Sequence, residues 1–168
     1  MKNHIIPEAV NGVIIYDASI TSIKRKKDTN NCVLRALAVA LDLPIDEPGS
    51  IASKGSRKYG SGTSNKDCKM LVQHYGLKEV FTQRGSLHGA IPVKAIEIRE
   101  AIARFPKGRF IISSRKHWFA VIDGCPVDSW DWFNPRKFYS DFETGETIAL
   151  QGWDHKAYKV YECPPLKG

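Results

Sequence analysis

Several patterns that would indicate a particular cofactor or location are missing from this chain. Its four cysteines include no C-x-x-C pair, and none lies at zinc-site spacing from a histidine. A G-x-x-x-x-G-K-[ST] segment is also absent, which excludes a phosphate-binding loop of that type. No apolar run is long enough to span a membrane, and no internal repeat is present. We therefore predict no metal, no other cofactor and no membrane partner.

The N-terminal residues show no secretory signal. The segment Met-Lys-Asn-His-Ile-Ile-Pro contains neither a long apolar run nor a cleavage site. Four cysteines could formally make two disulfides, but without such a signal we expect free thiols in a reducing setting. The expected location is the cytoplasm.

Length and composition are those of one globular domain with a sizeable core. The chain has 168 residues, of which 42% are hydrophobic and 26% are charged. The net charge of +7 is partly concentrated in residues 24–27 and in Lys54, Arg57 and Lys58. A basic balance permits attraction to nucleic acid, but basic runs are more often solvated faces. We predict a single domain over residues 1–168 and do not favour a nucleic-acid partner.

Periodicity, capping residues and turn residues predict an α+β order of elements. Residues 31–42 carry the clearest helical pattern, which ends at Leu43-Pro44. Further helices are predicted over 64–75 and 92–105. Strands are predicted over 13–16, 78–83, 109–113, 118–123, 125–129 and 157–162, with a tight hairpin turn at Asp123-Gly124.

Residues 49–64 are rich in Gly, Ser and Lys and are predicted to form the main loop. Long loops inside compact domains are usually functional or disordered. This composition therefore favours a lid or substrate loop, with Gly62 and Thr63 as substrate contacts.

The order of three polar residues indicates a nucleophilic site. Cys32 lies at the start of the predicted helix, where the helix N-terminus and an imidazole could both stabilise a thiolate. His117 opens a strand, and Asp128 follows eleven residues later on the returning strand. A hairpin centred on the Asp123-Gly124 turn pairs residue 119 with 128, which brings Asp128 close to His117. We predict that Cys32 is the nucleophile, His117 the general base and Asp128 the group that orients His117.

Each of these residues also has a structural interpretation. Cys32 could be a small buried hydrophobe, and His117 a core histidine with satisfied hydrogen bonds. Asp128 could be a turn carboxylate, and Asp131 competes with it for the third position.

The oxyanion site and the aromatic walls leave similar alternatives open. The Cys32 backbone N–H and a side chain of Asn30 or Asn31 could stabilise an oxyanion. Asn31 could equally serve only as a helix cap, an interpretation that we slightly favour. Three tryptophans would either line the substrate site or fill the core, namely Trp118, Trp130 and Trp132, and for Trp118 and Trp132 we favour the core.

The segment Asp-Thr-Asn-Asn-Cys-Val-Leu-Arg-Ala-Leu-Ala, residues 28–38, resembles the nucleophile motif of ovarian-tumour-type cysteine peptidases. In that motif an Asp-Gly-Asn-Cys segment opens the central helix. His117-Trp118 before an apolar strand resembles the same family's His-aromatic motif, and the block that follows is similar to bacteriocin-processing peptidases and transglutaminases. The chain departs from the motif because Asp28 lies four residues before Cys32, one more than expected, and no Gly precedes the Asn. Over residues 28–132 it is most similar to small phage or bacterial proteins of the papain-like superfamily.

The resemblance implies a papain-like fold in which the Cys-bearing central helix packs on an antiparallel sheet. It also implies a cysteine hydrolase or acyltransferase that acts on a peptide, isopeptide or amide bond. Its partner would be a protein or peptide substrate, and a host protein in the host cytoplasm if the chain is phage-encoded. The alternative is an inactive basic module that binds a host protein or nucleic acid.

Overall fold

The computed structural model describes residues 2–22, 31–58, 61–85, 89, 91–115, 117–133, 138–140, 147–149 and 151–166. Its helices are α1 (Cys32–Leu41), α2 (Asp46–Lys54), α3 (Asn65–His74) and α4 (Ile98–Arg104), with short 3-10 helices at Ala18–Thr21 and Gly152–Asp154. Its strands are β1 (Ile14–Ile15), β2 (Lys78–Thr82), β3 (Ile96–Glu97), β4 (Arg109–Ser114), β5 (His117–Ile122), β6 (Cys125–Asp128), β7 (Phe138–Ser140), β8 (Thr147–Ala149) and β9 (Lys156–Glu162). In the part of the chain just defined, no helix has the length and apolar character needed to cross a membrane.

Seven of these strands form one mostly antiparallel sheet. Six follow the order β1-β6-β5-β4-β9-β2, and β3 pairs with β9 beside that path. Only the pairing of β1 with β6 is parallel among the pairings of these strands. β7 and β8 form a separate two-stranded sheet. The predicted α+β class is confirmed.

The sheet is covered on both faces, and α1 lies in the core of one of them. Successive residues of β5 alternate between two hydrophobic clusters: Trp118 and Ala120 pack with α1, whereas Phe119 and Val121 pack with α4. Helix α1 contacts β5 and β4 and buries residues almost all round. Its Ala and Leu content suits a helix enclosed in this way. The prediction of a buried Cys-bearing helix on the sheet is therefore confirmed.

The turn between β5 and β6 sets the register of the pair. Asp123 and Gly124 have φ angles of 48° and 79°. A two-residue hairpin turn of this kind requires a positive φ at both positions. Ala120 lies opposite Val127, so the register continues to place residue 119 level with 128. This is the predicted register.

The predicted loop over 49–64 is wrong in its first half, because Asp46–Lys54 forms α2. Acidic residues in the first turn favour the helix N-terminus. Ser50 and Ser53, which we interpreted as loop residues, donate their hydroxyls to carbonyls one turn earlier. Ala52 is fully buried and anchors the helix to the core.

The predicted helix over 92–105 is also too long. Val93 bridges to Arg84, and Ile96–Glu97 pairs with β9, so the first part of this segment is extended. The backbone N–H of Ile98 donates to the His155 carbonyl, and the helix begins there. Pairing with β9 has overridden the helix-start signal of Pro92.

A buried carboxylate fixes the segment between α2 and α3. Asp67, which is 2% exposed, accepts hydrogen bonds from the backbone N–H and the hydroxyl of Ser56. The Ser64 side chain caps α3 by accepting from the Asp67 backbone N–H. The Ser56 hydroxyl is the main reason that the pKa of Asp67 lies below its usual value.

Gly55 and Gly62 provide a matched test of how much the hydrogen bonds between Asp67 and Ser56 stabilise the fold. A Cβ at Gly55 would lie 2.3 Å from Asp67 Oδ1, whereas a Cβ at Gly62 would meet nothing within 4 Å. We expect Gly55→Ala to lower the free energy of unfolding by about 1–3 kcal/mol, because overpacking must displace the carboxylate. Gly62→Ala should leave it nearly unchanged in the same denaturant titration. Equal effects of the two substitutions would contradict a stabilising role for the Asp67–Ser56 hydrogen bonds.

Candidate active site

A cleft of about 700 Å³ opens where the N-terminus of α1 meets the start of β5. Cys32 occupies the first position of α1, and His117 occupies the first position of β5. Among the predicted site residues, the cleft is lined by Asn31, Cys32, Gly62, Thr63, His117 and Trp118. Its other lining residues are Val33, Arg35, Asn65, Cys68, Ser113, Ser114 and Trp130. The structure thus brings the predicted nucleophile, base and substrate loop to one opening.

His117 and Asp128 form a short buried pair behind this cleft. His117 Nε2 lies 2.6 Å from Asp128 Oδ2, and the two side chains are only 4% and 5% exposed. The hairpin register explains the contact, since the end of β6 returns beside the start of β5. The structure places Asp128, and not the competing Asp131, against the imidazole.

The other ring nitrogen of His117, Nδ1, is the one that Asp128 leaves available to the Cys32 thiol. Nδ1 is buried and has no hydrogen bond of full geometry with any described residue. The Cys32 thiol nevertheless interacts with the imidazole strongly enough to change the pKa of both groups. Asp128 therefore holds one edge of the ring while the other is directed to the thiol.

Electrostatics favour a thiolate–imidazolium pair. Burial raises the pKa of Cys32, but its interaction with the His117 imidazole and the Trp118 backbone N–H outweighs this effect and leaves the pKa below its ordinary value. Burial lowers the pKa of His117, but the hydrogen bond to Asp128 and the interactions with Cys32 raise it to about 9. Opposite shifts of this kind are typical of an activated cysteine.

Two of the other cysteines have the opposite character. Burial raises the pKa of Cys68 to about 11 and that of Cys163 to about 12. Both are therefore neutral thiols near pH 7, although Cys68 lines the same cleft as Cys32. They serve as internal references for the reactivity of Cys32.

Aromatic rings enclose the histidine, and the sequence interpretation captured this only in part. Trp130 stacks on His117 with centroids 3.9 Å apart and planes 6° from parallel. Trp132 was assigned to the core, but its Nε1 donates to Asp128 Oδ2 at 2.9 Å while its ring packs against Phe119. Trp118 does both things considered for it, since it packs on Tyr161 and lines the cleft. The Trp-x-Trp spacing directly after Asp128 was the available signal.

The favoured interpretation of Asn31 as a helix cap is confirmed in position but not in hydrogen bonding. Asn31 is the N-cap residue of α1, but its side chain makes no capping hydrogen bond, because Nδ2 donates to Ser19 Oγ at 3.3 Å. Asn31 therefore supplies no side-chain acceptor to the first-turn N–H groups beside Cys32. Asn30, the other proposed oxyanion donor, lies outside the described residues.

Arg35 is a site residue that our sequence interpretation assigned no role. It lies one turn after Cys32, and its Nη1 donates to Ser129 Oγ at 2.9 Å. Its Nε lies 3.1 Å from Ser19 Oγ and 3.2 Å from Asp17 Oδ1. One side chain therefore joins the nucleophile helix to the residue that follows Asp128.

Comparisons with known proteins leave the interpretation to this geometry. No family model, no curated protein and no solved structure matches the chain. Within the described residues, no three His, Cys, Asp or Glu side chains are grouped so that they could hold a metal ion. The arrangement that is present can deprotonate a thiol, hold it beside an imidazole and admit a ligand from the cleft.

The thiolate–imidazolium pair predicts selective alkylation. At pH 7 we expect iodoacetamide to modify Cys32 much faster than Cys68 or Cys163, because only Cys32 has a lowered pKa. In His117→Ala the Cys32 rate should fall roughly tenfold or more, toward that of an ordinary thiol. Peptide mass spectrometry gives the rate at each cysteine. A Cys32 rate that does not respond to His117→Ala would contradict the pair.

The raised pKa of His117 also predicts a dependence of stability on pH. The protonated ring stabilises the fold fully below pH 6.5, the ordinary histidine value, and this contribution is lost as pH rises through about 9. In Asp128→Asn the pKa of His117 should fall, because the hydrogen bond that raises it most is weakened. NMR titration of the imidazole measures the pKa, and urea unfolding at both ends of the window measures the stability. An unchanged pKa in Asp128→Asn would disprove the role of Asp128.

Proposed function

We propose that this protein is a cysteine-dependent acyl-transfer enzyme of papain-like type. One observation carries the proposal: a thiol at a helix N-terminus shares an open cleft with a histidine that is hydrogen-bonded to a buried carboxylate. A purely structural histidine would not need a cysteine of lowered pKa beside its second nitrogen.

The reaction begins with attack of the Cys32 thiolate on a carbonyl carbon. A C–S bond forms, and the carbonyl electron pair moves to oxygen to give a tetrahedral oxyanion. When this collapses, the C–N bond breaks and the His117 imidazolium gives its proton to the leaving amine. The product is a thioester on Cys32 and a neutral His117.

The second half resolves the thioester. His117 takes a proton from water, the hydroxide attacks the thioester carbonyl, and the C–S bond breaks to release the acid and the thiolate. An amine in place of water would give transfer instead of hydrolysis. Asp128 holds the ring orientation through both halves and stabilises the imidazolium.

The oxyanion is proposed to lie at the mouth of α1. The backbone N–H of Cys32 points there from the first turn, and the N-cap residue Asn31 provides no side-chain acceptor for it. The positive end of the helix favours negative charge at the same point. Asn31 lies next to Cys32 on the cleft wall and is the candidate for a second donor.

The proposed substrate is a protein or peptide with a peptide, isopeptide or amide bond. The cleft is open, and its walls combine polar side chains with two tryptophans, which suits an extended polar chain with some apolar groups. If the chain is phage-encoded, a host protein in the host cytoplasm is the proposed target. The alternative of a basic binding module keeps Lys54 and Lys58 as exposed charges but loses Arg57, which is only 4% exposed.

Acylation of Cys32 tests this function without a known substrate. We expect p-nitrophenyl acetate to acetylate Cys32 and the acetyl group to be lost again, with release of p-nitrophenolate in excess of enzyme. Cys32→Ala should abolish turnover, and Asp128→Asn should slow it by roughly tenfold or more. Absorbance follows turnover, and intact mass spectrometry detects the acetyl-enzyme. Turnover that survives Cys32→Ala would rule out the proposed nucleophile.

A further inference from the structure

We propose that Ser19 is a positioning residue that turns the Asn31 carboxamide so that its NH₂ group faces the oxyanion. The inference rests on the proposed function and adds to it a residue of the first 3-10 helix, far from Cys32 in sequence. Ser19 would act only through Asn31 and would not touch the substrate.

Ser19 and Asn31 belong to one buried polar network. They are 7% and 1% exposed. Ser19 Oγ receives Asn31 Nδ2 at 3.3 Å and Arg35 Nε at 3.1 Å, so it accepts two hydrogen bonds. No described group accepts the proton of its own hydroxyl.

The same arrangement leaves the carbonyl end of Asn31 unpaired. Oδ1 is buried and has no hydrogen-bond partner among the described residues. An unpaired buried acceptor destabilises the fold, because it has lost its hydrogen bonds to water without replacement. A network with one unused donor, the Ser19 hydroxyl, and one unused acceptor, Asn31 Oδ1, is therefore incompletely matched.

A half-turn of the carboxamide matches them. The two ends of an Asn side chain are nearly identical in shape, so the rotation exchanges donor and acceptor without a steric change. The Ser19 hydroxyl then donates to Oδ1 while it still accepts from Arg35 Nε. The NH₂ group takes the place of Oδ1 in Asn31, the N-cap residue that precedes Cys32 and lines the cleft.

In this orientation the NH₂ group waits for an acceptor. In the resting enzyme it lacks a partner among the described residues, and it gains one when the carbonyl oxygen of the substrate becomes negative. An interaction that strengthens in the transition state accelerates the reaction. Two further hydrogen bonds hold the network in place, since Arg35 donates to Ser129 and the Ser19 N–H donates to Asp17.

Two reactions at the same sulfur separate this role from a structural one. Acylation by p-nitrophenyl acetate passes through an oxyanion, whereas alkylation by iodoacetamide is a displacement at carbon that forms none. Both require the same thiolate. A residue that serves only the oxyanion must slow the first reaction and leave the second unchanged.

The experiment measures both rates at Cys32 in full-length Ser19→Ala, Ser19→Thr and Asn31→Ala. We expect Ser19→Ala and Asn31→Ala to slow acylation by about tenfold or more, with alkylation unchanged. Ser19→Thr retains a hydroxyl and should restore acylation. Ser22→Ala is the matched control, because the Ser22 hydroxyl is equally buried but donates to Asp46.

Unchanged acylation in Ser19→Ala would overturn the inference. Equal slowing of both reactions would also overturn it, because the network would then position the thiol and not the oxyanion donor. If wild-type Cys32 reacts slowly in both assays, the proposed function itself fails, and the inference fails with it. Circular dichroism of each variant shows whether an effect comes from loss of the fold.

Discussion

The hydrogen bond between His117 and Asp128 is the contact on which the candidate site depends. It is short and buried, and it decides which edge of the imidazole remains for Cys32. The contact itself follows from a two-residue turn, because Asp123 and Gly124 set the pairing that returns β6 beside β5. A local backbone preference is thus converted into the orientation of a reactive group.

Much of this could be predicted from local signals. The hairpin turn has a strong residue preference and a period-two register, so the proximity of His117 and Asp128 followed from counting. Helix α1 was equally clear because its apolar periodicity and its stop at Leu43-Pro44 agree. Cys32 at its mouth required no tertiary information.

The parts that could not be predicted are decided by contacts between distant segments. Helix α2 forms although it contains Pro48, Gly49, Ser50 and Ser53, because Ala52 is buried against the core. The start of α4 is set by pairing with β9, and the bond from Trp132 to Asp128 depends on packing behind the sheet. The link from Arg35 to Ser129 joins residues 94 positions apart, which no spacing within one element reveals.

The alternation along β5 places His117 on the same face of the sheet as Phe119, opposite the face on which α1 packs. Phe119 follows His117 by two residues and stacks beside it, and in the second core it meets Phe133 and the ring of Trp132. Trp132 also donates a hydrogen bond to Asp128, so it connects the second core directly to the carboxylate. The geometry of the site therefore depends on side chains that do not line the cleft. The proposed function would therefore constrain the packing of this second core as tightly as the walls of the cleft.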